Sequence, residues 1–190
     1  MDALKKKILS DGQILPGDFL RVDGFLNHQI DIELLSECGK TWYECFKDSN
    51  VTKILTIESS GIAISCLTAQ QFGVPVVYAN KEKRSHMGDS IYSAKTVSYT
   101  QGKAYDIIVS RQYIAPHDRV LIIDDFLSRA SDLKALISIT EQAGATVIGA
   151  GVVIEKVSSG GGDCLRELGY RVESLAKIKS LDTGVIEFAD

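Results

Sequence analysis

Val120-Leu121-Ile122-Ile123-Asp124-Asp125-Phe126 runs four apolar residues into two adjacent carboxylates. The apolar run reads as a buried strand, and the acids stand at its carboxyl end. Neighbouring strand residues face opposite ways, so one carboxylate can meet a ligand while the other caps a turn or faces a cation. Paired acids in such a place suit ribose hydroxyls or Mg²⁺. A turn opened by Asp-Asp, or a receiver-type acidic site, fits the same spacing.

Strand and helix patterns alternate on both sides of this stretch. Residues 53–57 read as a short strand, 61–72 as a helix stopped by Gly73, and 74–78 as a second strand. Residues 79–91 are polar and basic with no periodicity, which predicts a long loop. Residues 96–99 and 105–109, joined through Gln101-Gly102-Lys103, look like a hairpin. Residues 132–142 form a helical pattern closed by Gly144, and 146–154 another buried strand. Towards the N-terminus, 2–10 read as a helix and 13–30 as irregular. Ile32, Leu35, Cys38, Trp42 and Phe46 give helical spacing behind a candidate N-cap, Asp31.

This alternation predicts an α/β fold with a mainly parallel sheet flanked by helices. Ligands of such sheets bind beyond the carboxyl ends of the strands. Those ends are Glu58-Ser59-Ser60-Gly61, Asn80-Lys81, Asp124-Asp125 and Glu155-Lys156, all polar. Their convergence points to an enzyme or a ligand binder.

At 190 residues the chain has the size of one domain. It carries no apolar run of about 18 residues, so no membrane span is expected. The lysines at the N-terminus are not followed by an apolar core, so this segment reads as a short amphipathic helix rather than a secretory signal. Cys38, Cys45, Cys66 and Cys164 form no CxxC pair; they read as buried thiols of a reducing cytosol, not as a zinc site. A net charge of −4 argues against a nucleic-acid surface. Any phosphate must therefore be bound locally, by loop amides, a few cations and a metal ion.

The acid-terminated strand resembles the 5-phosphoribosyl diphosphate (PRPP) signature of the type I phosphoribosyltransferases. The segments MDALKKKI, FLNHQID, TKILTIESSGIA, GVPVVYA, VLIIDDFL, GVVIEK and LGYRVESLA are similar, from end to end, to the bacterial members that act on xanthine. The resemblance implies one phosphoribosyltransferase domain over residues 1–190. A hood would come mainly from 1–35 with a C-terminal contribution, the core from about 36–180, and a flexible flap from about 79–100. It also implies a cytoplasmic homodimer active in purine salvage, using PRPP with Mg²⁺ and binding neither nucleic acid nor membrane.

The family's site carries over piecewise. Glu58-Ser59-Ser60-Gly61 matches the diphosphate loop, where small residues admit oxygens close to backbone amides at a helix N-terminus; a serine-capped strand-to-helix turn is the plain alternative. Lys81, Lys83 and Arg84 would neutralise diphosphate, although a basic loop is more often a solvated surface. Asp124 and Asp125 would hold the ribose hydroxyls, directly or through water and metal. Leu20, Asn27 and Lys156 would form the base site, with Lys156 donating to the purine O6 and Asn27 meeting the 2-oxo edge. Without the resemblance, Glu155 and Lys156 read as an exposed pair at a strand end, and His28 as structural.

Ser128-Arg129-Ala130-Ser131-Asp132 takes the place of the 5′-phosphate loop but departs from the family pattern. No glycine lies between Asp125 and Gly144, and Asp132 puts negative charge where a phosphate belongs. Arg129 would offset it by pairing with Asp132 or with the phosphate. The expectation is weaker PRPP binding or an altered loop. Two other functions fit the residues: a PRPP-sensing regulator of the same fold without catalysis, and a transferase for guanine or hypoxanthine.

Overall fold

The computed structural model describes residues 1–82, 90–97, 104–181 and 184–189. The first helix, α1 (Asp2–Asp11), buries Leu4 and Ile8, one turn apart. Residues 13–30 are not irregular as expected. They form a small antiparallel pair, β1 (Gln13–Leu15) and β2 (Phe19–Arg21), and a π turn over Asp23–Asn27. Three-residue strands are too short to display a period of two, and Gly17 and Asp18, both at positive φ, make their turn. Helix α2 (Ile32–Phe46) follows its expected pattern. The Asp31 carboxylate accepts from Leu34 N at 3.1 Å as its N-cap, and Leu35, Cys38, Trp42 and Phe46 are buried.

Strand β3 (Lys53–Ile57) leads into α3 (Ser60–Phe72), which Gly73 closes in the left-handed conformation. Strand β4 (Val76–Ala79) starts only after Pro75, which has no N–H for a ladder. The expected hairpin forms from β5 (Ile91–Val97) and β6 (Ala104–Ser110), paired from Ile91↔Ser110 to Val97↔Ala104. Its first strand starts at Ile91 rather than 96. The inward positions of β5 include Ala94 and buried Thr96, while Val97 points out, so burial alternates where hydropathy does not.

The acid-bearing strand β7 (Arg119–Leu127) extends past its carboxylates, placing Asp124 and Asp125 inside the ladder instead of beyond it. Helix α4 (Ser131–Gln142) and strand β8 (Thr146–Lys156) follow. Helix α5 (Gly161–Glu167) and strands β9 (Val172–Ser180) and β10 (Glu187–Phe188) complete the chain; none had a clear pattern in the sequence. The six-stranded sheet has the order β10-β9-β8-β7-β3-β4 and is parallel except for β10.

Alternate residues of β7 feed two cores. Leu121 and Ile123 pack with α1, α2 and α3, while Val120 and Ile122 pack with α4, α5 and the hairpin. A sheet covered on both faces opens to ligands only at its ends. The cysteines depart from expectation: Cys38 is buried, Cys45 and Cys164 are half-buried, and Cys66 is exposed, all four as free thiols. Among the described residues no helix is long and apolar enough to cross a membrane.

Candidate active site

A cleft of about 800 Å³ opens at the carboxyl ends of the parallel strands. Both acids of β7 line it and both are buried. They leave the strand in different directions, as alternation requires. Asp125 Oδ2 accepts from Asn27 Nδ2 at 3.1 Å, on the side of the N-terminal segment, and its Oδ1 accepts from Phe126 N at 3.0 Å. Asp124 Oδ1 accepts from Asp125 N at 3.0 Å. Burial, then the charges of Asp125 and Asp132, push the Asp124 carboxyl well above the usual carboxylate range. The site therefore concentrates negative charge that a bound cation would lower.

On one side, Glu58, Ser60 and Lys81 line the cleft. Glu58 Oε1 accepts from Lys81 N at 2.7 Å, tying the end of β3 to the end of β4. Ser59 precedes α3 and Gly61 lies buried in its first turn; neither lines the cleft. A Cβ at Gly61 would collide with the Thr56 hydroxyl and stand 3.1 Å from Asp124 Oδ1. Glycine thus lets the helix N-terminus sit directly against the acid strand. The Lys81 ammonium lies 5.6 Å from the centroid of the Tyr105 ring. Lys83 and Arg84 fall outside the described residues, as does part of the expected flap.

All five residues from Ser128 to Asp132 line the cleft on the other side. Without a glycine, the loop places Ala130 at φ 62°, the left-handed region. Its backing comes from elsewhere in the chain. Gly161 N donates to Ser128 O at 3.0 Å, and a side chain at Gly161 would strike that carbonyl and approach Ala130 N to 2.6 Å. Ser128 Oγ donates to Ser159 Oγ at 2.9 Å. Asp132, read in the sequence as an obstacle to phosphate, accepts from Thr96 Oγ1 at 2.6 Å and from Tyr105 Oη at 3.3 Å, so the hairpin docks on it. Burial, then the Asp132 charge, pushes the Tyr105 phenol up, keeping it a donor.

Leu20, Asn27 and Lys156 line the cleft as well. Lys156 Nζ reaches across to donate to Asp18 O at 3.0 Å. Phe19, Phe126, Ile154, Ile178 and Leu181 supply the apolar lining there, and sequence reasoning singled out none of them. The aromatic residues flanking Leu20 and Asp125 are the only signal that pointed to two of them. Glu155 is not exposed beside Lys156, as the strand-end reading had it. It is 1% exposed and bound by Arg166 through two bonds, 2.9 and 2.7 Å, and by Ser174. Burial pushes its carboxyl up, but the hydrogen bonds from Arg166 and Ser174 outweigh this and hold it below the ordinary value. His28 is exposed beside Asn27.

Residues 28–167 match the model of the phosphoribosyl transferase domain family. The chain belongs to this family. Curated relatives named xanthine phosphoribosyltransferase, from Bacillus cereus and Bacillus mycoides, are 50% identical over 99% of this chain and 95% of theirs. Among solved structures, the adenine phosphoribosyltransferase of Giardia lamblia, complexed with 9-deazaadenine, is similar with a TM-score of 0.78 at 22% identity, covering 93% of this chain and 98% of that one. The enzyme of Rhodothermus marinus gives 0.76 at 22% identity, covering 94% and 100%. These likenesses agree with the fold: a mainly parallel sheet between helices, with the family's acid-bearing strand near its middle.

Proposed function

We propose that this phosphoribosyltransferase joins xanthine to the 5-phosphoribosyl group of PRPP, giving xanthosine 5′-monophosphate and diphosphate. One observation carries the reading: a single cleft is lined by the β7 acids, the 128–132 loop and Leu20, Asn27 and Lys156. Near-complete overlap with relatives of that name supports the choice of base.

The 5′-phosphate would sit on Ser128, Arg129, Ala130, Ser131 and Asp132, at the start of α4, where first-turn amides and the helix dipole favour an anion. Asp124 and Asp125 would accept from the ribose hydroxyls. Glu58, Ser59, Ser60 and Gly61 would turn the start of α3 towards the diphosphate, with Lys81 and Lys83 as its cations. Lys156 Nζ, already donating to a carbonyl across the cleft, would exchange that acceptor for the purine O6. Asn27 can both donate and accept, as the 2-oxo edge of xanthine requires.

The bond from ribose C1 to the diphosphate oxygen would break with its electron pair leaving on oxygen. The base nitrogen would then bond to C1 from the opposite face and lose its proton. No covalent enzyme intermediate is needed; orientation and electrostatics carry the rate. Two adjacent buried carboxylates, one raised by burial and then by its neighbour's charge, fit a divalent cation that arrives with phosphate oxygens. Asp124 and Asp125 would hold Mg²⁺ directly or through water, and the ion would neutralise charge on the leaving group. The same reading takes residues 1–35 as the hood, about 36–180 as the core and 79–100 as the flap, in a cytoplasmic homodimer.

Turnover with PRPP and Mg²⁺ over a panel of xanthine, guanine, hypoxanthine and adenine tests the proposal. Xanthine is expected to give the highest kcat/KM. Preference for adenine, which lacks O6, would refute the base site, and PRPP binding without turnover on any purine would favour a sensor.

A further inference from the structure

We infer that Asp132 and Tyr105 are positioning residues for Lys81, so that an acid of the 5′-phosphate loop sets the cation that faces the diphosphate. This rests on the functional reading above. Three contacts make the chain of influence. The backbone of Lys81 is pinned by Glu58 Oε1 at 2.7 Å, leaving its side chain to choose a direction. That side chain lies over the Tyr105 ring, 5.6 Å from its centroid. The ring in turn is held by its hydroxyl, which donates to Asp132, where Thr96 of the facing strand also donates.

A lysine ammonium on a free stem has many rotamers, and ordering it at a reacting centre costs entropy. A ring face within about 6 Å attracts the cation without neutralising it, unlike a carboxylate. The ammonium therefore keeps its full charge for the diphosphate. The half-buried phenol remains a donor because its environment opposes ionisation. Asp132 suits the task, since one carboxylate oxygen accepts from both hairpin hydroxyls and charge strengthens each bond.

The test separates the ring, the hydroxyl and the charge. Magnesium diphosphate and ribose 5-phosphate are titrated by calorimetry into Tyr105→Leu, Tyr105→Phe, Asp132→Ala and Asp132→Asn, with steady-state turnover and melting measured in parallel. Tyr105→Leu is expected to weaken diphosphate binding about fivefold and lower kcat, with ribose 5-phosphate binding unchanged. Tyr105→Phe, which keeps the ring but cuts its bond to Asp132, is expected to weaken diphosphate binding less than Tyr105→Leu and by about as much as Asp132→Ala. Asp132→Asn, still an acceptor, keeps the affinity that Asp132→Ala loses. Unchanged diphosphate binding in Tyr105→Leu overturns the inference, as does an equal loss for both ligands. Absence of turnover in the wild type would instead remove the functional reading on which it stands.

Discussion

Replacing Arg166 by Met strips a buried carboxylate of its cation while keeping an unbranched apolar stem in place. Glu155 is 1% exposed and takes two hydrogen bonds from the guanidinium, at 2.9 and 2.7 Å. Orphaning a buried charge costs about 3–5 kcal/mol. The Arg166 side chain is 30% exposed, so water reaches the pair and about 3 kcal/mol is the appropriate figure. At roughly 2–4 °C per kcal/mol for a chain of this size, the melting temperature should fall by roughly 6–12 °C near neutral pH.

The pH dependence has a sign that a simple packing loss lacks. In the wild type the folded Glu155 carboxyl lies below its ordinary value of 4.5, so its contribution is present above that value and lost as pH falls through the folded one. In Arg166→Met burial is no longer outweighed, and the folded pKa moves above the unfolded one. The variant's penalty then shrinks as the pH drops and the carboxyl is protonated. Thermal unfolding by circular dichroism from neutral pH to about pH 4.5 reads the gap between the two proteins. A gap that stays constant with pH would refute the reasoning. Pairing Arg166→Met with Glu155→Leu should recover much of the loss, because removing both partners leaves no uncompensated charge.

Asp124→Asn combined with Asp125→Asn should abolish most turnover while the melting temperature holds or rises, since it removes a like-charge repulsion; near-native kcat would eliminate the proposed role of the acids. Lys156→Ala should raise the KM for xanthine more than that for PRPP, and equal effects on both in steady-state kinetics would argue against a base contact. Ala130→Gly should stabilise the protein by about 1 kcal/mol by relieving the left-handed φ of 62°, read as an upward shift of a few degrees in melting; a lower melting temperature would mean that the loop does not hold that conformation.

Most of the backbone was legible because it is written in local patterns. Strands β3, β7 and β8 are continuous buried runs, as strands covered on both faces must be, and Leu35, Cys38, Trp42 and Phe46 recur at the helical period. The polar strand ends were legible as a cleft for the same reason, since a sheet covered on both faces leaves only its ends open. Elements that escaped lack such a pattern. Strands β1 and β2 have three residues each, and the inward positions of β5 mix Tyr92, Ala94 and Thr96.

What local pattern cannot encode is the partner of a charged side chain. Asp132 read as a phosphate-repelling residue because only its neighbours were visible; its donors, Thr96 and Tyr105, are 36 and 27 positions away. Glu155 read as exposed because a Glu-Lys pair at a strand end has no apolar residue to bury it. Its cation comes from α5, which carries no strong periodicity, and from there Arg166 fixes an apparent surface acid in the interior. In both cases a carboxylate, half-buried at Asp132 and buried at Glu155, is satisfied because the fold delivers donors from a distance. The residues with the least local signature are therefore the ones that hold the cleft's charged groups at their stations.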